Sequence, residues 1–209
     1  MADSKHFAPD ASASAPGADP LSVLNAWYEE AQALGDPLPD AMTLATASKD
    51  GVPSARVVLF KGIVRGGVLF VTNYASRKAR ELDENPRAAL LMHFPLRERQ
   101  VRIEGRVERA SATESETYFH GRPRGSQLGA WASPQSQPIA SRAELDALAS
   151  GVEARFANAD VPRPDFWGGY LVFPESIELW QGKPDRLHDR FLYRRSADTA
   201  AWTIERLAP

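Results

Sequence analysis

The chain contains no cysteine. That excludes disulfides, zinc–thiolate sites, iron–sulfur clusters and cysteine nucleophiles, and it suits a reducing cytoplasm, the expected location. No run approaches the ~20 apolar residues that a membrane-spanning helix needs, so no membrane partner is expected. The first twenty residues carry no apolar block and do not read as a secretory signal. A glycine-rich phosphate loop, a paired-histidine zinc motif and a Gly-x-Ser-x-Gly elbow are all missing. The four histidines, His6, His93, His120 and His188, are scattered, so no metal site is expected. The missing dinucleotide fingerprint argues against a nicotinamide cofactor and leaves a flavin open.

What is present is an ordinary globular composition: 209 residues, 43% apolar and 25% charged. The net charge is −2, unevenly spread. Between Arg56 and Arg109 twelve Lys/Arg face six Asp/Glu, so that segment is +6 and the remainder −8. A basic middle in a weakly acidic whole fits a small phosphorylated ligand and argues against nucleic acid, which calls for a basic domain.

Residues 1–18 read as a disordered tail and 19–209 as one domain. A helix is predicted from Asp19-Pro20, with Leu21, Leu24, Trp27, Tyr28 and Ala31 on one face and Gly35 ending it. Strands follow at 42–47, 52–61, 68–72, 88–94 and 99–108, the last alternating cleanly. Ser76 is a predicted N-cap for a short helix ending before Asn85-Pro86, and Ser111 and Ser141 each open a capping box, with Glu114 and Glu144. Gly121–Gln127 reads as a polar loop. Late strands are predicted at 169–173, 177–181, 191–195 and 202–207. Sequential strands, tight turns and inserted helices predict a mainly β fold with α (α+β): an antiparallel barrel with peripheral helices.

The run Arg56-Val57-Val58-Leu59-Phe60-Lys61 has four consecutive apolar residues and reads as a strand too hydrophobic to leave one face in water. Side-chain alternation sends its flanking cations to opposite faces. Neither has an acid nearby in sequence, so distant carboxylates or a bound anion must supply the partner. Arg77 and Lys78, in the first turn of the helix after Ser76, sit at the positive end of its dipole, where a docked anion relieves them.

Two candidate phosphate sets emerge: Arg56, Arg77, Lys78, Gln135 and Ser136, and Lys61, Tyr118, Arg122 and Ser126. Near the chain's end Trp180 offers a flat wall, and Arg186 and Arg190 offer guanidinium donors to a heteroaromatic ring. Read singly, Tyr118 is equally helix packing, His188 a solvated loop residue and Arg186–Asp189–Arg190 a local ion-pair cluster. Pattern alone reaches a phosphate-ligand binder of barrel type.

Arg186-Leu187-His188-Asp189-Arg190, taken with Gly121-Arg122-Pro123-Arg124-Gly125-Ser126-Gln127, resembles the pyridoxamine 5′-phosphate oxidase family. The likeness runs from about Asp19 to Pro209 and includes Arg56–Lys61, Thr72-Asn73, Ser76-Arg77-Lys78, Glu98-Arg99-Gln100-Val101, Phe166-Trp167-Gly168-Gly169 and Trp180-Gln181-Gly182. It implies a split β-barrel and a homodimer with FMN between the subunits. By that resemblance Arg56, Val57, Val58, Leu59, Lys61, Val71, Thr72, Arg77, Lys78, Gln135 and Ser136 bind FMN, and Gln100, Trp180 and Arg190 flank its ring. Lys61, Tyr118, Arg122 and Ser126 grip the substrate phosphate, and Arg186 and His188 close over the pyridine ring as the catalytic pair. The implied reaction oxidises pyridoxine or pyridoxamine 5′-phosphate to pyridoxal 5′-phosphate, with a hydride passing from C4′ to flavin N5 and dioxygen leaving as hydrogen peroxide. The alternatives are a related flavin oxidase of phenazine biosynthesis and a non-catalytic flavin or vitamin B6 binder. Two positions depart from the family's pattern: residues 1–18 lack the Arg and Tyr of a substrate-covering arm, and Val71 replaces an aromatic before Thr72.

Overall fold

The computed structural model describes residues 18–195 and 201–209. Most of the expected tail therefore lies outside the described residues. The first helix, α1 (Pro20–Leu34), forms as the spacing predicts. Asp19 accepts from the Ser22 N–H at its start, and Gly35, at φ 75°, closes its end in the left-handed region that suits glycine. Its stripe of Leu21, Leu24, Trp27 and Ala31 is buried in the main core. Full burial of a side chain such as Leu24 stabilises the fold by about 2 kcal/mol.

The remaining elements are β1 (Ala41–Ala47), β2 (Pro53–Leu59), β3 (Ile63–Val64), β4 (Gly67–Asn73), α2 (Arg77–Glu84), β5 (Arg87–Phe94) and β6 (Arg99–Arg109). They continue with α3 (Ala112–His120), α4 (Arg124–Ala132), α5 (Arg142–Arg155), β7 (Trp167–Gln181), β8 (Asp189–Arg195) and β9 (Trp202–Arg206). The strands make one sheet in the order β2-β1-β5-β6-β7-β4-β3, and β8 and β9 branch from β7. Every pairing is antiparallel. The edges meet where the chain leaving β2 exchanges backbone hydrogen bonds with β4: Lys61 N–H to the Leu69 carbonyl and Leu69 N–H to the Gly62 carbonyl, both 2.9 Å. This is the expected antiparallel split barrel with helices outside it. Its interior is filled by Met42, Leu44, Phe70, Leu90, Met92, Ile103, Ile177 and their neighbours.

Four local expectations are corrected. The two late strands at 169–173 and 177–181 are one strand, β7. Pro174 is accommodated by a register shift at Glu104/Gly105, where Gly105 faces Pro174 and Glu104 faces Ser176. The loop at 121–127 is helical from Arg124. Gln127 Nε2 reaches back to the carbonyls of Phe119, His120 and Arg122, satisfying the end of α3. Ser76 occupies the N-cap of α2 without capping it, because its hydroxyl accepts from Lys78 Nζ at 3.3 Å. Ser141 caps α5, but Glu144 returns to the Ala140 N–H instead of closing the box. The box at Ser111 and Glu114 is complete.

The 56–61 run is also less buried than its composition predicts. Val58 and Phe60 are 8% and 3% exposed, whereas Val57 and Leu59 are 63% and 42% exposed. Successive side chains of a strand point to opposite faces of the sheet, so Val58 turns inward while Val57 and Leu59 turn outward.

Candidate active site

Remote carboxylates pair both cations of the 56–61 run. Arg56 Nη2 lies 3.2 Å from Glu81 Oε2, and Lys61 Nζ lies 3.1 Å from Asp40 Oδ2. The strand ends at Leu59, so the alternation that sends Arg56 and Lys61 to opposite faces stops short of Lys61.

Glu81, on α2, organises one cluster. Its carboxylate accepts from Thr46, from Ser54 at 2.6 Å, from Arg56 and from Arg77 Nε at 2.8 Å. Burial opposes its charge, but the hydrogen bonds from Ser54, Thr46 and Arg77 and the charge of Arg56 outweigh it and hold the pKa at about 2. Lys78 is on the same helix, and its hydrogen-bond acceptors are all neutral: Thr72 Oγ1 at 3.1 Å, Ser76 Oγ at 3.3 Å and Gln135 Oε1 at 2.9 Å. Burial, reinforced by the charge of Arg56 and only partly countered by Glu81, pulls its pKa down to about 8. Thr72 also donates to Gln135 Oε1 at 2.9 Å. Arg56 and Arg77 thus meet at Glu81, and Thr72 and Lys78 meet at Gln135. Ser136 follows Gln135 with its backbone in the left-handed region at φ 67°.

A second cation lies in a separate apolar cluster beneath α3 and α4. The Arg122 guanidinium sits 4.5 Å from the Trp167 ring centroid, and its buried Nη1 has no hydrogen-bond partner. Burial lowers its pKa. Tyr118 stacks with Trp167, at 6.3 Å between centroids and 20° between planes. Ser126 is in the first turn of α4, its N–H bonded to the Pro123 carbonyl. Val71 packs against this same cluster. No hydrogen bond, ion pair or ring contact among the described residues joins Lys61 to Tyr118, Arg122 or Ser126; Lys61 stays with Asp40.

The third group is at the far end of β7. Gln100 faces Trp180 across β6 and β7, and Trp180 faces Arg190 across β7 and β8. The His188 ring centroid is 4.6 Å from that of Trp180, and His188 Nδ1 accepts from the Lys183 N–H at 3.2 Å. That bond leaves Nε2 as the proton-bearing nitrogen of a neutral ring. An open cleft of about 380 Å³ runs past Gln100, Trp180, Lys183, His188, His93 and Glu98. Arg186 is exposed beside it, and both Asp185 and Arg186 take positive φ, 57° and 61°. Two successive non-glycine residues in that region mark a strained turn.

Sequence reasoning missed the carboxylates that hold these cations: Glu81, Asp40 and Glu178. Glu81 was accessible as the i,i+4 partner of Arg77. Asp40 and Glu178 approach only through sheet pairing. Trp167, the ring under Arg122, carried no cue beyond its place in a matched motif.

The chain is an antiparallel split barrel that gathers cations at two separate places and has an aromatic-walled cleft at a third. The chain belongs to the pyridoxamine 5′-phosphate oxidase family. Residues 29–155 match the family described as pyridoxamine 5′-phosphate oxidase, and residues 167–209 match the pyridoxine 5′-phosphate oxidase C-terminal dimerisation region. A pyridoxine/pyridoxamine 5′-phosphate oxidase of Salinibacter ruber is 55% identical over 192 residues, 91% of this chain and 89% of that one. One from Burkholderia lata is 54% identical over the same shares. The crystal structure of PhzG from Burkholderia lata 383, in complex with tetrahydrophenazine-1-carboxylic acid, superposes with a TM-score of 0.89 at 32% identity, covering 98% of both chains. A pyridoxamine 5′-phosphate oxidase-related, FMN binding protein from Nostoc punctiforme shares the fold at TM-score 0.74 and 17% identity, covering 92% of this chain and 99% of that one. Among the described residues no helix is long and apolar enough to cross a membrane, and no cluster of metal-ligating side chains occurs.

Proposed function

We propose that the chain is an FMN-dependent oxidase that converts pyridoxine 5′-phosphate and pyridoxamine 5′-phosphate to pyridoxal 5′-phosphate, working as a homodimer with FMN between subunits. The observation that carries this reading is a pair of partly buried cations, Lys78 and Arg122, that have no carboxylate among their hydrogen-bond partners. Each suits one phosphomonoester, and cofactor and substrate bring one apiece.

The residues around Lys78 fit the phosphate of FMN. Lys78 and Thr72 currently spend donors on the neutral Gln135 amide oxygen, and phosphate oxygens are stronger acceptors for both. Arg56 and Arg77 would add guanidinium donors, and Val57, Val58, Leu59, Val71 and Ser136 would help to hold the cofactor. When bound, FMN takes a hydride from the substrate's C4′ and passes the electrons to dioxygen, releasing hydrogen peroxide.

Lys61, Tyr118, Arg122 and Ser126 hold the substrate phosphate in this reading, and Arg186 and His188 orient the pyridine ring at C4′. Alignment of two flat rings is the protein's main contribution, and orientation alone supplies several kcal/mol. Support for a shared site comes from β7. Thr72 faces Gly168 and Gln100 faces Trp180, so the two groups lie twelve residues apart along one strand, roughly 40 Å of contour at ~3.3 Å per residue. A partner subunit supplies Gln100, Trp180 and Arg190 to the FMN held at Lys78, in keeping with the match of residues 167–209 to a dimerisation region.

The likeness to PhzG favours a second reading, a flavin oxidase acting on a phenazine precursor. The higher identity to relatives named for the B6 reaction, 55% against 32%, and the Arg122 cradle favour the first. Anaerobic mixing of the yellow protein with pyridoxine 5′-phosphate tests it. Bleaching of the flavin band is expected, and an unchanged spectrum with tight binding points to a carrier. Full turnover after Arg186→Ala with His188→Ala removes the catalytic assignment of those two.

A further inference from the structure

We propose that Glu178 is a positioning residue for the flavin ring, acting through Arg190. The proposal rests on the reading that Arg190 flanks bound FMN. Glu178 lies in β7, 4% exposed, and takes the Arg190 guanidinium side-on: Nε to Oε1 at 2.8 Å and Nη2 to Oε2 at 3.2 Å. On its other flank Nη1 donates to the Ala208 carbonyl at 2.9 Å, and the Leu207 N–H to Arg190 carbonyl bond, 3.0 Å, keeps residue 208 alongside. An arginine has five N–H groups in one plane. Three are taken by these contacts, so the two left point off the end of the guanidinium in a fixed direction. A cation with four rotatable side-chain bonds is thereby reduced to one orientation before any ligand arrives.

Glu178 is itself held from behind by Arg102 of β6, so the three side chains lie across three adjacent strands. A purely structural clip between strands uses both arginines alike. A positioning role does not: Arg102 is half exposed and has Glu178 as its one side-chain polar partner among the described residues, whereas Arg190 lies opposite Trp180, which lines the cleft.

The test is FMN titration of the flavin-stripped protein, followed by fluorescence quenching, with the visible band of the reloaded holoprotein and thermal melting recorded alongside. Glu178→Gln keeps the shape but removes the charge, and FMN affinity is expected to fall about tenfold with a changed band shape. Arg190→Ala is expected to lose as much, and the double variant no more than either. Arg102→Gln is expected to lower the melting temperature while changing FMN affinity less than about threefold. Should Glu178→Gln not fold, Arg190→Lys answers the same question, because an ammonium retains charge but cannot be gripped as a fork. Additive losses for Glu178→Gln and Arg190→Ala, or wild-type affinity in Arg190→Lys, overturn the proposal alone. Wild-type affinity in Arg190→Ala overturns the placement of Arg190 beside FMN, and the proposal with it.

Discussion

Lys78 Nζ and Gln135 Oε1, 57 residues apart in sequence, meet at 2.9 Å, and the ammonium has only uncharged acceptors around it. A cation kept in such company destabilises the ligand-free fold and is retained for what it binds.

Lys78 therefore predicts opposite effects on stability and binding. Its folded pKa, about 8, lies below the ordinary lysine value of 10.5, so its penalty is fully present below pH 8 and fades as the pH rises toward 10.5. Lys78→Met is expected to raise stability at pH 7 by about 1 kcal/mol, a figure discounted for the group's partial exposure. The same variant should bind FMN about a hundredfold more weakly. Wild-type FMN affinity should decline as the pH passes 8 and the ammonium loses its proton. Denaturant melts and FMN titrations between pH 6 and 10 check both, and flat affinity across that range counts against Lys78 as the phosphate ligand.

Glu81 predicts an acid-side dependence. Its pKa, lowered from 4.5 to about 2, means its contribution is complete above pH 4.5 and lost as the pH falls toward 2. Glu81→Gln should destabilise the fold by about 3 kcal/mol at neutral pH, since it leaves Arg56 and Arg77 unneutralised beside a buried amide. Urea denaturation of wild type and variant should converge on acidification. A gap that persists unchanged at pH 2.5 contradicts the assignment.

Arg122 is expected to separate folding from substrate recognition. Its Nη1 is buried without a partner, so replacement by an unbranched apolar side chain relieves a desolvated group. Arg122→Met should melt at or above the wild-type temperature while the KM for pyridoxine 5′-phosphate rises ten- to a hundredfold. A clear fall in melting temperature with an unaltered KM would assign Arg122 to packing against Trp167.

Gly105 marks where the barrel tolerates no side chain. A Cβ there would lie 2.0 Å from the Phe173 carbonyl oxygen and 2.8 Å from its carbon, both backbone atoms of the adjacent strand. Gly105→Ala should cost about 3 kcal/mol, measurable by chemical denaturation. Gly125→Ala, with nothing within 4 Å of the added carbon, is the matched control and should be near neutral.

Local chemistry was legible in the residues themselves. The stripe of α1, its Asp19 and Gly35 caps, the alternation of β6 and the capping box at Ser111 all depend on neighbours a few positions away, and each forms as read. The break expected between 173 and 177 does not occur because β7 accommodates an extra residue, Glu175, against β6, and that pairing involves residues nearly seventy positions away. Val57 and Leu59 misled because composition does not say which face of a strand the rest of the chain covers.

The candidate site divides in the same way. The order of cations, amides and aromatics along the chain was enough to name the family. Which cations already have a carboxylate was decided only by tertiary structure. Arg56 and Lys61 find Glu81 and Asp40 across 25 and 21 residues, whereas Lys78 and Arg122 do not find one. Coulomb energy and desolvation depend on distance in space and on what excludes water, and neither quantity is written in the order of residues.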